Sequence, residues 1–302
     1  MYLYHFGIRE LPFTLTPNTQ YFFGLPSHQE ALQVLITALK TGEGFIKVTG
    51  EVGTGKTLIC RKILNELPAH FVSAYIPNPF LSPSELRRSV AAELGVTLTE
   101  NSDQQEFTQK IQQRLIEIHK QGHSVVLIID EAQALPIESI ESLRLMTNLE
   151  TESRKLLQVV LFGQPELNAK LALPELRQLR QRITFSYTLQ LMDADQVYQY
   201  VQHRMRVAGY MGGEIFDRRC ADWLFKASKG TPRIVNVLCH KALMLVYGKG
   251  TKQVELNDLK TAIADTEAAQ PVKHSDWLVW TLALLICMVF TVFVYYFPWR
   301  VS

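Results

Sequence analysis

The stretch Gly50-Glu51-Val52-Gly53-Thr54-Gly55-Lys56-Thr57 constrains the fold of this chain more than any other. It follows an apolar run at Gly44 to Thr49, which reads as a short buried strand. It precedes Leu58 to Leu67, where apolar residues recur with helical period. A G-x-x-x-x-G-K-T loop between a strand and a helix is a phosphate cradle, because its glycines let backbone N–H groups converge on phosphate oxygens and the helix N-terminus adds the positive end of its dipole. In that reading the whole loop from Gly50 to Thr57 holds a nucleoside triphosphate, taken as ATP, with Lys56 at the β/γ-phosphates and Thr57 on Mg²⁺.

A second run fits the first. Val125 to Ile129 is continuously apolar and ends in Asp130-Glu131-Ala132-Gln133, so a buried strand delivers two carboxylates at its C-terminal end, where open α/β sheets bind ligands. Asp130 suits the Mg²⁺ shell. Glu131 is the candidate to polarise a water for attack on the γ-phosphate. The pair points to hydrolysis rather than to binding alone.

Further strands are expected at Phe71 to Ile76, Leu157 to Phe162 and Ile183 to Leu189, with helices between them. That alternation specifies an α/β fold of the P-loop NTPase kind, a parallel sheet with helices on both faces. Ser82-Pro83 reads as the N-cap and first residue of a helix over Ser84 to Leu94. Ser27 with Glu30 reads as a capping box. After about residue 192 the strand pattern stops, and Asp193 to Ala208, Asp217 to Ser228, Pro232 to Tyr247 and Asn257 to Ala268 read as helices. The expected division is therefore an ATPase domain over 1–191, a helical lid over 192–268 and a polar linker over 269–276.

The linker leads into Trp277 to Phe297, WLVWTLALLICMVFTVFVYYF, a run of 21 residues without a charge, Pro or Gly. As a helix it would span about 31 Å, and its Leu, Ile, Val and Phe residues favour insertion by roughly 4 to 7 kcal/mol. Aromatic residues cluster at both ends, as at membrane interfaces. Lysines on the approach place the body in the cytoplasm, and residues 298–302 form a short tail. MYLYHFGIRELPF lacks the apolar core of a secretory signal. The expectation is a tail-anchored, single-pass protein of a bacterial inner membrane, with the lipid bilayer as one partner.

Charge adds an exclusion. With 31 Lys and Arg against 29 Asp and Glu, the net charge of +2 carries no footprint of an obligate nucleic-acid binder. Cys60, Cys220, Cys239 and Cys287 share no CxxC spacing and read as reduced thiols. His119 and His123 have ligand-like spacing but no Cys or carboxylate arranged with them.

The order of motifs resembles the AAA+ ATPases of the ExeA/GspA type. The residues that carry the likeness, beyond the phosphate loop and the acidic strand end, are Leu161 to Leu167 (LFGQPEL), Leu179 to Ile183 (LRQRI) and Gly230 to Ile234 (GTPRI). Phe6-Gly7, Pro12-Phe13, Thr16-Pro17 and His28 to Leu32 look like the N-terminal signature of that family, over residues 1–35. The resemblance covers roughly residues 1 to 268 and implies an ATP hydrolase that supports assembly of a type IV, mannose-sensitive-haemagglutinin-like pilus or of a type II secretion machine. Partners implied are other copies of the chain and inner-membrane assembly proteins. Direct peptidoglycan binding is not expected, because five residues follow the apolar run. A DNA-handling ATPase and a nucleotide-switch scaffold with little turnover are the alternatives.

Residue roles follow the same resemblance. Gln164 falls at a sensor position beside the phosphate loop. Arg233 falls at a second sensor position, and the helix dipole disfavours a cation in that first turn, which argues for a ligand there. Arg177, Arg180 and Arg182 lie where the family places a finger reaching the neighbouring subunit's nucleotide, with Arg182 first in order and Arg180 second. His28 falls near the adenine.

Overall fold

The computed structural model describes residues 2–97, 104–148 and 155–271. The apolar run 277–297 and Cys287 lie outside the described residues. Among the described residues no helix is long and apolar enough to cross a membrane.

Five strands among them, β1 Phe45–Thr49, β2 Phe71–Ile76, β3 Ser124–Ile129, β4 Leu157–Gly163 and β5 Ile183–Thr188, form one sheet in the order β2-β3-β4-β1-β5. The pairings recorded between neighbours are all parallel. Parallel neighbours need crossovers, and helices supply them: α3 Lys56–Glu66, α4 Pro83–Glu93, α5 Gln104–Lys120, α6 Ile137–Met146, α7 Glu166–Leu171 and α8 Arg177–Arg182, while α1 Leu3–Phe6 and α2 Pro26–Thr41 precede the first strand.

The central strands are mostly apolar because both faces are covered, with Lys47, Thr49, Ser124 and Gln158 as their polar members. Val125, Leu127 and Ile129 of β3 join the core under α4 to α7, whereas Val126 and Ile128 join the core under α2 and α3. This period-two split follows from the pleat. The edge strand β5 is only half buried, and its residues alternate between half-buried and exposed positions.

The lid consists of α9 Ala194–Val207, α10 Arg218–Ser228, α11 Pro232–Lys249 and α12 Leu256–Ala264. The expected strands and lid helices are present with shifts of a few residues at their ends. The largest shift is at α12, expected to reach Ala268. It ends at Ala264, where the Thr266 hydroxyl turns back onto the Ala262 carbonyl at 2.7 Å and the Gln270 N–H then bonds Ala227 O at 2.8 Å.

Two expectations are corrected. Ser27 and Glu30 are not a capping box, because α2 opens two residues earlier, at Pro26 with Leu25 as the N-cap, so Ser27 lies inside the first turn. The Glu30 carboxylate instead accepts the Tyr187 hydroxyl at 2.7 Å. The N-terminal segment is also not part of the sheet domain. Tyr2, Phe6, Ile8, Phe13 and Tyr21 are buried in one core with lid residues such as Val201, Leu224 and Leu238. The Ser82-Pro83 expectation holds, with a full capping box between Ser82 and Glu85.

Candidate nucleotide site

Strand order sets the site. β4 lies between β3 and β1, so three C-terminal strand ends stand side by side and carry Asp130-Glu131, Gln164 and Gly50 respectively. Gly50 N–H bonds Gly163 O at 3.2 Å, which ties the β1 end to the β4 end.

After β1 the chain turns tightly. The Thr54 N–H and hydroxyl both bond Glu51 O, at 3.3 and 2.8 Å, and Gly53 and Gly55 take φ of +83° and +100°, which side chains with a Cβ disfavour. A Cβ on Gly53 would also lie 2.6 Å from that of Arg233. Glu51 and Val52 are exposed at the tip, while Thr54 and Lys56 are buried. Helix α3 begins at Lys56, so its free N–H groups face the turn. The Lys56 ammonium donates to Gly50 O at 2.8 Å and Glu51 O at 2.9 Å. Burial pushes its pKa down, with Glu131, Asp130 and Glu51 acting in the opposite sense.

Asp130 continues the sheet, its N–H bonding Ile76 O at 3.0 Å. Its carboxylate accepts the Thr57 hydroxyl at 2.6 Å and the Glu131 N–H at 2.9 Å. Burial raises its pKa, and those two hydrogen bonds work against the rise. Glu131 stands in left-handed backbone conformation at φ +51°, a sparse region for a residue with a side chain. Its carboxylate accepts Gln164 Nε2 at 2.9 Å and Gln133 Nε2 at 2.5 Å, and Gln133 Oε1 accepts the Gln164 N–H at 3.0 Å. Two amides therefore aim one carboxylate.

Gln133 carried no assigned role in the sequence, although it stands within the acidic strand-end motif. Its neutral amide gives no charge or metal signal to read; its signal is only the fixed offset from Glu131.

The remaining side is built by the lid and the N-terminal segment. Together with Gly53 to Thr57 and Glu131 they enclose a cavity of about 200 Å³. Arg233, exposed at the second position of α11, lines it, and its backbone N–H bonds Gly53 O at 3.3 Å. His28 is buried against the loop and donates Nε2–H to Thr54 O at 2.9 Å.

The arginines before β5 are elsewhere. Arg182 donates to Asn148 and, at 3.5 Å, to Arg144 O at the end of α6. Arg177 and Arg180 are exposed, and Arg180 reaches Ala172 O at 3.3 Å. Neither Arg180 nor Arg182 is among the residues lining the cavity of its own chain. Among the described residues no three or more His, Cys, Asp or Glu side chains gather as a metal site.

The donor set fits a magnesium-bound nucleoside triphosphate. Hydroxyl and carboxylate oxygens of Thr57 and Asp130 are hard ligands already paired, and the loop offers backbone N–H groups, a helix N-terminus and a buried ammonium to phosphate. Fold and site together define a P-loop ATPase module of the AAA+ class. A family model described as an AAA domain matches residues 39–171. General secretion pathway protein A of Aeromonas hydrophila is 39% identical over 262 residues, 87% of this chain and 48% of that protein. Over most of its length the chain is similar to this protein of the ExeA/GspA type, and it spans about half the length of that relative.

Solved structures agree on the fold. The Aeropyrum pernix ORC2 protein matches with TM-score 0.62 at 13% identity, covering 85% of this chain and 73% of that one. Cdc6p from Pyrobaculum aerophilum gives TM-score 0.62 at 15% identity, with 82% and 70% covered. The Thermotoga maritima RuvB branch migration motor gives 0.57 at 16%, with 88% and 77% covered.

Proposed function

We propose that this protein is a membrane-anchored ATP hydrolase that supports assembly of a type II secretion machine or a type IV, mannose-sensitive-haemagglutinin-like pilus. The observation that carries the hydrolytic part is the Glu131 carboxylate held by Gln133 and Gln164 beside the Thr57–Asp130 pair. Bound ATP·Mg²⁺ supplies the reactive γ-phosphoryl group and its charge neutralisation. The chain's own residues do the rest. Lys56 and the loop N–H groups bind phosphate, Thr57 and Asp130 hold the metal, and Glu131 orients a water and takes its proton. Gln164 fixes Glu131, and Arg233 approaches from the lid.

Support for the machine comes from the relative's name, and support for the membrane from the uncharged run at 277–297. A DNA-handling role is less favoured, since lid cations Arg218, Arg219, Lys241 and Lys249 are each paired with a carboxylate. Oligomeric action, with an arginine reaching a neighbour's site, belongs to the same proposal.

The test is direct. Lys56→Ala should lose ATP binding. Glu131→Gln should keep it while hydrolysis falls by about 10² or more, the usual worth of a positioned base. Undiminished turnover in Glu131→Gln would overturn the assignment.

A further inference from the structure

The short turn Ala132–Ala134 that follows Glu131 cannot complete its own hydrogen bonding. Within it the Ala134 N–H bonds Glu131 O at 2.9 Å and the Leu135 N–H bonds Ala132 O at 3.2 Å. The next bond of that series would run from residue 136 to Gln133 O. Residue 136 is proline and has no N–H, so the series stops and leaves that carbonyl open. Lys170 of α7 takes it. The Lys170 ammonium donates to Gln133 O at 2.5 Å and to Leu135 O at 2.7 Å, which places a cation at the end of the turn where carbonyls converge.

Helix α7 is a firm support for this contact. Its Leu167 and Leu171 are buried in the core under the sheet, and its Asn168 Oδ1 accepts the Lys47 ammonium of β1 at 2.5 Å. The helix also starts directly behind Gln164, since the Leu167 N–H bonds Gln164 O at 2.9 Å. A Cβ on Gly163 would stand 2.7 Å from Leu167 Cδ2 and 3.1 Å from Gln133 Oε1, so strand end, helix and turn meet where only glycine fits. Gln133 thus reaches the Glu131 carboxylate from the turn, and Gln164 reaches it from the start of α7. Lys170 joins these two supports to each other on the side away from the carboxylate.

We propose that Lys170 is a positioning residue for ATP hydrolysis, acting through the turn and Gln133 on the Glu131 carboxylate. The inference rests on the hydrolytic reading of Glu131. A base works only within hydrogen-bond reach of its water, and the Glu131 backbone at φ +51° sits in a sparse region that its surroundings must impose. Lys170 is not among the residues lining the cavity, and its ammonium bonds the turn rather than the phosphate loop. Removing that ammonium therefore releases the aim of the base and leaves the phosphate cradle as it was.

The full-length chain can be assayed for Mg²⁺·ATP binding and for steady-state hydrolysis. Lys170→Met keeps the stem and removes the donors. Its kcat should fall about 10- to 100-fold, since a shift of about 1 Å in a reacting group costs up to about 10²-fold, while its ATP Kd stays within about twofold of wild type. Lys170→Arg, whose fork can still serve two carbonyls, should recover most of the lost rate. The double variant Glu131→Gln with Lys170→Met should be no more than about twofold slower than Glu131→Gln alone, because both act through one carboxylate. If Lys170→Met does not fold, Lys170→Gln carries the same comparisons. An unchanged kcat beside a slow Glu131→Gln, a parallel loss of ATP affinity, or fully additive slowing in the double variant would overturn the inference and leave the hydrolytic reading standing. Undiminished turnover in Glu131→Gln would overturn that reading, and the inference with it.

Discussion

Burial decides the proton on His28. The ring stacks on Phe22 at 6.0 Å, with the Lys62 ammonium 5.1 Å over that same Phe22, and Nε2 faces a carbonyl, which can only accept. The tautomer is therefore Nε2–H. Desolvation lowers its pKa below the ordinary 6.5, as it does for His203 and His240. The unfolded chain takes up a proton near that ordinary value and the native chain does not, so stability is retained above it and lost as pH falls below it towards the lowered native values. His28→Asn should flatten this acid-side slope by up to about 1.4 kcal/mol per pH unit just below pH 6.5. Denaturant titrations at several pH values between 5 and 7 measure it. A slope identical to wild type would mean that His28 protonates freely in the native state.

At the scale of elements, what a helix start needs separates two serines. Ser82 is an N-cap whose hydroxyl serves Glu85 N–H while the Glu85 carboxylate serves Ser82 N–H, so Ser82→Ala should cost about 1 kcal/mol, or roughly 2 to 4 °C in Tm. Ser27 caps nothing, and Ser27→Ala should leave Tm unchanged in the same thermal melts. The contrast also marks what was legible in the chain. Both sites read as capping motifs, but at α2 the adjacent Pro26 took the first helical position, a choice decided by fixed φ rather than by hydroxyl chemistry. The phosphate loop and the Asp130-Glu131 strand end were legible because each requires particular residue types at fixed spacing. The lid helices were legible from period. The anchoring of the segment from Pro12 to Pro17 was not, since it is made through the Pro12 and Pro17 carbonyls, and the two arginines that hold them, Arg204 and Arg61, read in sequence like any surface cations. The union of Tyr2 and Phe6 with the lid core was hidden for a similar reason, because local pattern records that a residue is apolar and not which core receives it.

At the scale of the whole molecule, the site is incomplete in one respect: no arginine before β5 lines the cavity of its own chain, yet charge develops on the phosphoryl group during transfer. An arginine supplied by a neighbouring copy would meet that need, and the geometry orders the candidates differently from sequence position. Arg182, nearest the strand, is engaged with Arg144 O and Asn148 and closes the end of α6. Arg180 is exposed and spends one bond on a carbonyl at 3.3 Å, so it can leave that contact at little cost. Arg180→Ala should bind ATP normally and hydrolyse it about 10³-fold more slowly, whereas Arg182→Ala should act mainly by lowering Tm. Activity per subunit should rise with protein concentration, more steeply in a bilayer if the run at 277–297 confines the copies to a plane. Mixing Arg180→Ala with Lys56→Ala should restore turnover, because the first keeps an intact nucleotide site and the second supplies the missing arginine to it. Hydrolysis independent of concentration, together with an inactive mixture, would leave a chain that works alone and remove the need for any neighbour.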